Sequence, residues 1–161
     1  MDTMIRVNQI WKHPIYQEQL QALQMLEADR KFCRHTPEHF LDVARLAYIH
    51  ALESHAFASK ELIYCTALLH DIGRAEQYRS GIPHDEAGAQ IAEQILRELS
   101  FDPSEIQEIT SAIREHRNAA RSDTLSSLIY DADKASRNCF SCPAEKECYW
   151  SVEKKNLTIT Y

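Results

Sequence analysis

Glycine and proline are scarce in this chain, at 3 and 5 of 161 residues. Together they make about 5% of the sequence, against roughly 12% in average usage. Strands joined by tight turns need many more such residues, which argues against a sandwich or barrel. A long hydrophobic run is also lacking: the longest uncharged apolar stretch, Leu62 to Leu69, is far short of a membrane span. The first residues, Met1 to Arg6, have neither the basic start nor the apolar stretch of a secretory signal, so a cytoplasmic location is expected. No lysine- or arginine-rich run occurs and the formal net charge is −6. That balance disfavours a polyanion partner such as duplex DNA, though a local pocket of cations could still hold a small phosphorylated compound. With so few glycines, no phosphate-cradling Walker loop or glycine-rich dinucleotide loop is present.

What is abundant is ligand chemistry, with 8 histidines and 5 cysteines. In a reducing compartment the cysteines are read as free thiols or metal ligands rather than disulfides. The length suits one domain with a real hydrophobic core.

The prolines punctuate helices, because proline suits a first helical turn. Pro14 opens a segment with Ile15, Leu20, Leu23, Met25 and Leu26 in helical periodicity. Thr36-Pro37-Glu38 reads as a cap and first turn leading into Phe40, Val43, Ala44 and Ala47. Glu61 to Ile72 is apolar on nearly every side and is predicted to be the central buried helix. Gly73 stands where a left-handed C-terminal cap is expected. Pro83 begins a helix bearing Ala87, Ile91, Ile95 and Leu99, and Asp102-Pro103-Ser104-Glu105 resembles a capping box before Ile106, Ile109 and Ile113. Leu125, Leu128, Ile129 and Ala132 mark a sixth helix, Pro143 a short seventh, and residues 157–161 alternate as an extended tail. The expected fold is a single all-α domain of six or seven helices spanning residues 1–161. Its core covers about 34–137 and a cysteine-rich extension covers 138–161.

His70-Asp71 ends the most apolar segment. A carboxylate there must be paired or metal-bound, since a bare buried charge is costly. The plain alternative is a helix-capping histidine with a solvated aspartate. His39 begins one helix, His84 starts another, His116 ends the next, and Asp133 lies in Asp131-Ala132-Asp133-Lys134. In this order the residues resemble the HD superfamily of metal-dependent phosphohydrolases, H…HD…D, in the branch with two further histidines between HD and the last aspartate.

The resemblance implies a first metal held by His39, His70, Asp71 and Asp133, and a second held by His84 and His116 with Asp71 bridging. Asp131 rivals Asp133, and the Ala-Asp-Lys string of such proteins favours Asp133. Imidazole and carboxylate donors suit Fe, Mn, Zn, Co or Ni. The implied reaction is hydrolysis of a small phosphorylated compound, a nucleotide in particular, by a metal-activated hydroxide. Asp71, Arg74 and Lys134 are the implied catalytic residues. Arg34, Arg74, Arg117 and Lys134, each beside a ligand position, are candidates for a phosphate-binding rim. For any one of them a solvated helix-end charge is the simpler reading.

Some members of the superfamily are diiron oxygenases, and that reading stays open, as does a non-catalytic metal or redox sensor. So does pairing of two copies as a homodimer. His13, His35, His50 and His55 belong to no motif, although His35 is near enough to His39 to reach the same pocket.

Cys139-x2-Cys142-x5-Cys148 lies outside the HD pattern. With Cys33 as a fourth ligand it could hold structural zinc or an iron–sulfur cluster, and the spacing does not choose between them. Cys65, inside the apolar segment, reads as a core thiol.

Overall fold

The computed structural model describes residues 3–117 and 124–161. Among them are eight α-helices and no strand. Six are the helices expected from the proline punctuation and periodicity. They are Pro14–Leu26 (here α2), Pro37–Glu53 (α3), Lys60–Leu69 (α4), His84–Glu98 (α6), Pro103–Glu115 (α7) and Thr124–Ala135 (α8). Thr36 caps α3, its Oγ1 accepting from His39 N at 3.4 Å, and Ser59 caps α4 through Leu62 N at 3.4 Å. Glu105 accepts from Asp102 N at 3.2 Å at the start of α7.

Two short helices were not expected, α1 (Ile5–Lys12) and α5 (Arg74–Ser80). Each buries too few side chains to leave a periodic signature: Val7 and Ile10 in α1, only Ala75 in α5. Pro143 starts no α-helix. The extension forms three short 3-10 turns, Cys139–Ser141, Glu145–Glu147 and Val152–Lys154. The tail forms no strand either, and Leu157, Ile159 and Tyr161 lie exposed. In an all-helical neighbourhood there is no sheet edge for them to pair with.

Helix α4 is the centre of the molecule. Leu62, Cys65, Leu68 and Leu69 join a core with Ile10, Tyr16, Phe40, Ile95 and Ile109. On its other side Ile63 and Ala67 join Val43, Ala47, Leu125 and Ile129. It packs against α1, α3, α7 and α8, while α6 packs on α7. Being apolar all round is therefore what its position demands. No helix among the described residues is long and apolar enough to cross a membrane.

Candidate metal centre

The buried hub forces polar residues at the helix ends into one place. His39 sits in the first turn of α3, His70 and Asp71 just past α4, His84 at the start of α6, His116 just past α7, and Asp133 in α8. Gly73 makes this convergence possible in a way the sequence reading did not anticipate. Its φ is −76°, ordinary right-handed backbone rather than the left-handed cap. Glycine is needed for space, since a Cβ there would lie 2.2 Å from His84 O and 2.3 Å from Gly88 N. The backbone of residue 73 thus touches the first turn of α6 and draws His84 alongside Asp71.

Asp71 is the shared element, only 1% exposed. Its Oδ2 faces Nε2 of His70 (3.2 Å), His35 (3.5 Å) and His39 (3.9 Å). Its Oδ1 faces Nε2 of His84 (3.3 Å) and His116 (3.6 Å) and accepts from Arg74 Nε at 2.8 Å. Asp133 Oδ1 lies 3.4 Å from His39 Nε2 and 3.8 Å from His70 Nε2. Ligand atoms of His39, His70, Asp71 and Asp133 fall within 4.8 Å of one another, as do those of Asp71, His84 and His116. Asp131 belongs to neither group.

The outer nitrogens explain why the inner ones point inward. His70 Nδ1 lies 2.7 Å from the carbonyl oxygen of Ala67, and His116 Nδ1 2.5 Å from that of Ile113. His84 Nδ1 lies 2.7 Å from Gln77 Oε1. His39 Nδ1 lies 3.3 Å from Ser136 Oγ, whose hydroxyl donates to Asp133 O at 2.8 Å. Carbonyl oxygens only accept, so the proton of each neutral ring is placed on Nδ1 and the lone pair on Nε2 faces the carboxylates. This is the orientation of a metal-ligating histidine with its second nitrogen anchored.

The centre as it stands leaves inward-facing polar atoms unsatisfied. His70 Nε2 and Asp133 Oδ1 are buried without a hydrogen bond, an arrangement that costs free energy unless a cation satisfies it. His84 Nε2 and His116 Nε2 also face each other at 3.2 Å. These donors fit a divalent transition metal.

Electrostatics agree with that demand. Burial would raise the carboxyls of Asp71 and Asp133. The imidazole of His70 and the guanidinium of Arg74 instead hold Asp71 well below its ordinary range, and His39 and His70 do the same for Asp133. Burial opposes a charge on His70, yet Asp71 and Asp133 outweigh it and push the ring up to about 9. Burial prevails at His39 and His84, lowered to about 4 and about 3.

A cavity of about 710 Å³ opens above these groups and is lined by His39, His84, His116 and Asp133. Arg34, Arg74, Arg117 and Lys134 all line it, as do Cys33, Cys139, Cys142 and Cys148. Three of those cations are engaged locally. Arg34 donates to Ala28 O at 2.7 Å, Arg74 to Asp71, and Lys134 Nζ to Asp133 Oδ2 at 2.7 Å.

Two participants escaped the sequence reading as site residues. Arg137 donates to His39 Nε2 at 3.1 Å and lies 3.6 Å from Asp133 Oδ1; its only signal was a spacing of four from Asp133. His35, the unassigned histidine nearest His39, anchors Nδ1 on buried Glu27 Oε1 at 2.7 Å and turns Nε2 to Asp71.

Residues 36–138 match the HD domain family. The chain belongs to this family. It is 43% identical to an uncharacterized protein of Clostridium beijerinckii over 98% of this chain and all of that protein. The crystal structure of a predicted HD superfamily hydrolase from an uncultured Thermotogales bacterium superposes with a TM-score of 0.62 at 27% identity. The match covers 77% of this chain and 67% of that one. The fold is thus HD superfamily hydrolase-like, and the buried histidine–aspartate groups are consistent with a HD metal site.

Proposed function

We propose that the protein is a metal-dependent phosphohydrolase acting on a small phosphorylated compound, a nucleotide in particular. One observation carries the reading: a buried carboxylate, Asp71, presents each of its two oxygens to a different set of inward-facing imidazoles. His39, His70, Asp71 and Asp133 would hold one ion, and Asp71, His84 and His116 a second. Such ions, when bound, supply Lewis acidity toward phosphoryl oxygens and lower the pKa of water.

The remaining work falls to the chain itself. Arg74 fixes Asp71 Oδ1 while its guanidinium borders the cavity, positioned to orient a phosphoryl group. Lys134 and Arg117 add charge on the same wall, where negative charge grows during transfer. His35 stays neutral, its pKa lowered by burial, and with its Nδ1 proton fixed on Glu27 it can accept a proton at Nε2. A cavity of about 710 Å³ is in the usual range for a small-molecule site. Phe32, Tyr149 and Trp150 on its wall suit a nucleobase, and the cationic rim suits a phosphate. A net charge of −6 argues against a nucleic acid polymer as substrate.

The test is elemental analysis of protein purified without chelators, followed by phosphate release across a nucleotide panel. About two ions per chain are expected at the histidine–aspartate groups, beyond any metal held by the cysteines, with phosphate release abolished in Asp71→Ala. Failure to bind metal after manganese or ferrous reconstitution overturns the reading.

A further inference from the structure

The HD pattern leaves the cysteines unused, and the fold gathers four of them. Cys139, Cys142 and Cys148 belong to the 3-10 turns beyond α8. Their backbone amides are committed to turn bonds, to Arg137 O (2.9 Å), Cys139 O (3.2 Å) and Glu145 O (3.2 Å) respectively. Cys33 comes from the loop between α2 and α3, and residues on both sides of it are tied to the extension. Lys31 pairs with Glu147, and Phe32 meets Tyr149 edge-on with ring centroids 6.4 Å apart. Arg137 Nη1 donates to Arg34 O at 3.2 Å. Arg30 Nε holds the Cys33 carbonyl itself at 2.8 Å. All four thiols are free and border the same cavity, and Cys139, Cys142 and Cys148 each lie within electrostatic range of Cys33. Arg137 stands beside Cys33 and Lys155 beside Cys139 and Cys148, so cations flank the cysteine set.

The extension has almost no core of its own. Cys139 and Ala144 are its buried apolar residues, while Phe140, Tyr149 and Val152 are 45%, 80% and 65% exposed. A run of short turns with so little apolar burial needs a staple, which a metal centre supplies. The width of the cysteine set distinguishes the kind of centre. Among the described residues only the two histidine–aspartate groups have ligand atoms all within 4.8 Å of one another. One zinc with Zn–S bonds of about 2.3 Å draws its sulfurs to about 3.8 Å apart, whereas an iron–sulfur cluster spreads its ligands over separate irons.

We propose that Cys33, Cys139, Cys142 and Cys148 ligate an iron–sulfur cluster that fastens the C-terminal extension to the α2–α3 loop and forms one wall of the cavity. The site is independent of the hydrolytic reading, and its readout is sulfide, which the histidine–aspartate site does not retain. The full-length chain, reconstituted anaerobically with ferric iron, a thiol reductant and sulfide and then desalted, should keep about two or four acid-labile sulfides, for a two-iron or a four-iron cluster, and a broad visible absorbance that dithionite bleaches. Cys142→Ser should lose both to background while keeping the helical circular dichroism of the parent, and Cys33→Ser repeats the test from the other side of the joint. Cys65→Ser, in the core, and Asp71→Ala, in the other site, should keep their sulfide. The proposal is overturned if the parent chain retains no labile sulfide, if the serine variants keep theirs, or if these cysteines bind a single zinc.

Discussion

His70 holds its proton tightly, because Asp71 and Asp133 outweigh burial and push it up to about 9 from an ordinary 6.5. A metal ion must displace that proton, so affinity should climb with pH across the interval from 7 to 9, by roughly tenfold per unit. Titration calorimetry with Mn in buffers of different ionisation enthalpy reads both the affinity and the proton released, and a pH-independent affinity would contradict the assignment of His70 as a ligand. The same shifts fix how the metal-free protein responds to pH. His39 and His84 fall from 6.5 to about 4 and about 3, so below 6.5 the unfolded chain takes up protons first and stability drops as the solution is acidified. His70 works oppositely: its contribution is complete below 6.5 and is lost as pH rises toward 9. Thermal melts in chelator should therefore peak near pH 6.5. At Gly73 the constraint is space. Gly73→Ala sets a Cβ against the backbone of His84 and Gly88, and urea titration should show a loss at or above the upper end of about 1–3 kcal/mol.

At the level of elements, the extension is bound to the end of α8 chiefly by one side chain. Asn156 Nδ2 donates to the carbonyls of Lys134 (2.7 Å), Arg137 (2.9 Å) and Ala135 (3.4 Å), at and just past the C-terminal turn of that helix. Asn156→Ala removes these bonds, while Arg137 O and Lys134 O keep backbone donors in Cys139 N and Arg137 N, a loss of about 0.5–1.5 kcal/mol. Limited proteolysis should then cut within residues 138–156 while the helical signal persists. This joint was illegible in the sequence because it is made by one long-range amide without any motif around it. The helices were legible where they are amphipathic and capped, as at Thr36 and Pro37 or Asp102 and Glu105. They were missed where a few buried residues leave no period, as in α1 and α5. Gly73 was misread for a related reason: its role depends on α6, which a local cap argument cannot see.

For the molecule as a whole, the site was readable as an order of residues before it was readable as a place. His39, His70, Asp71, His84, His116 and Asp133 each stand at or near a helix end, and that is a sequence property. That their inner nitrogens share one carboxylate follows from α4 being buried on all sides, so that α3, α6, α7 and α8 gather at its C-terminal end. Glu27 and Arg137 enter only through that packing, whereas the spacing of His35 from His39 already put it within reach of the pocket. The fold thus assembles the centre and bears its cost, since the unsatisfied His70 Nε2 and Asp133 Oδ1 and the facing imidazoles of His84 and His116 oppose folding until a cation joins them. Stability should then be linked to metal. At a hundredfold excess of free ion over Kd the gain is about 2.7 kcal/mol, a rise in Tm of roughly 5–11 °C for a chain of this size. Asp71→Ala removes the carboxylate common to both ligand groups, so it should abolish that rise whatever its own melting temperature. Differential scanning calorimetry of both proteins with Mn and with chelator decides the matter: if the parent melts at the same temperature in both conditions, or the variant responds to metal as fully as the parent, Asp71 does not join the two groups into one centre.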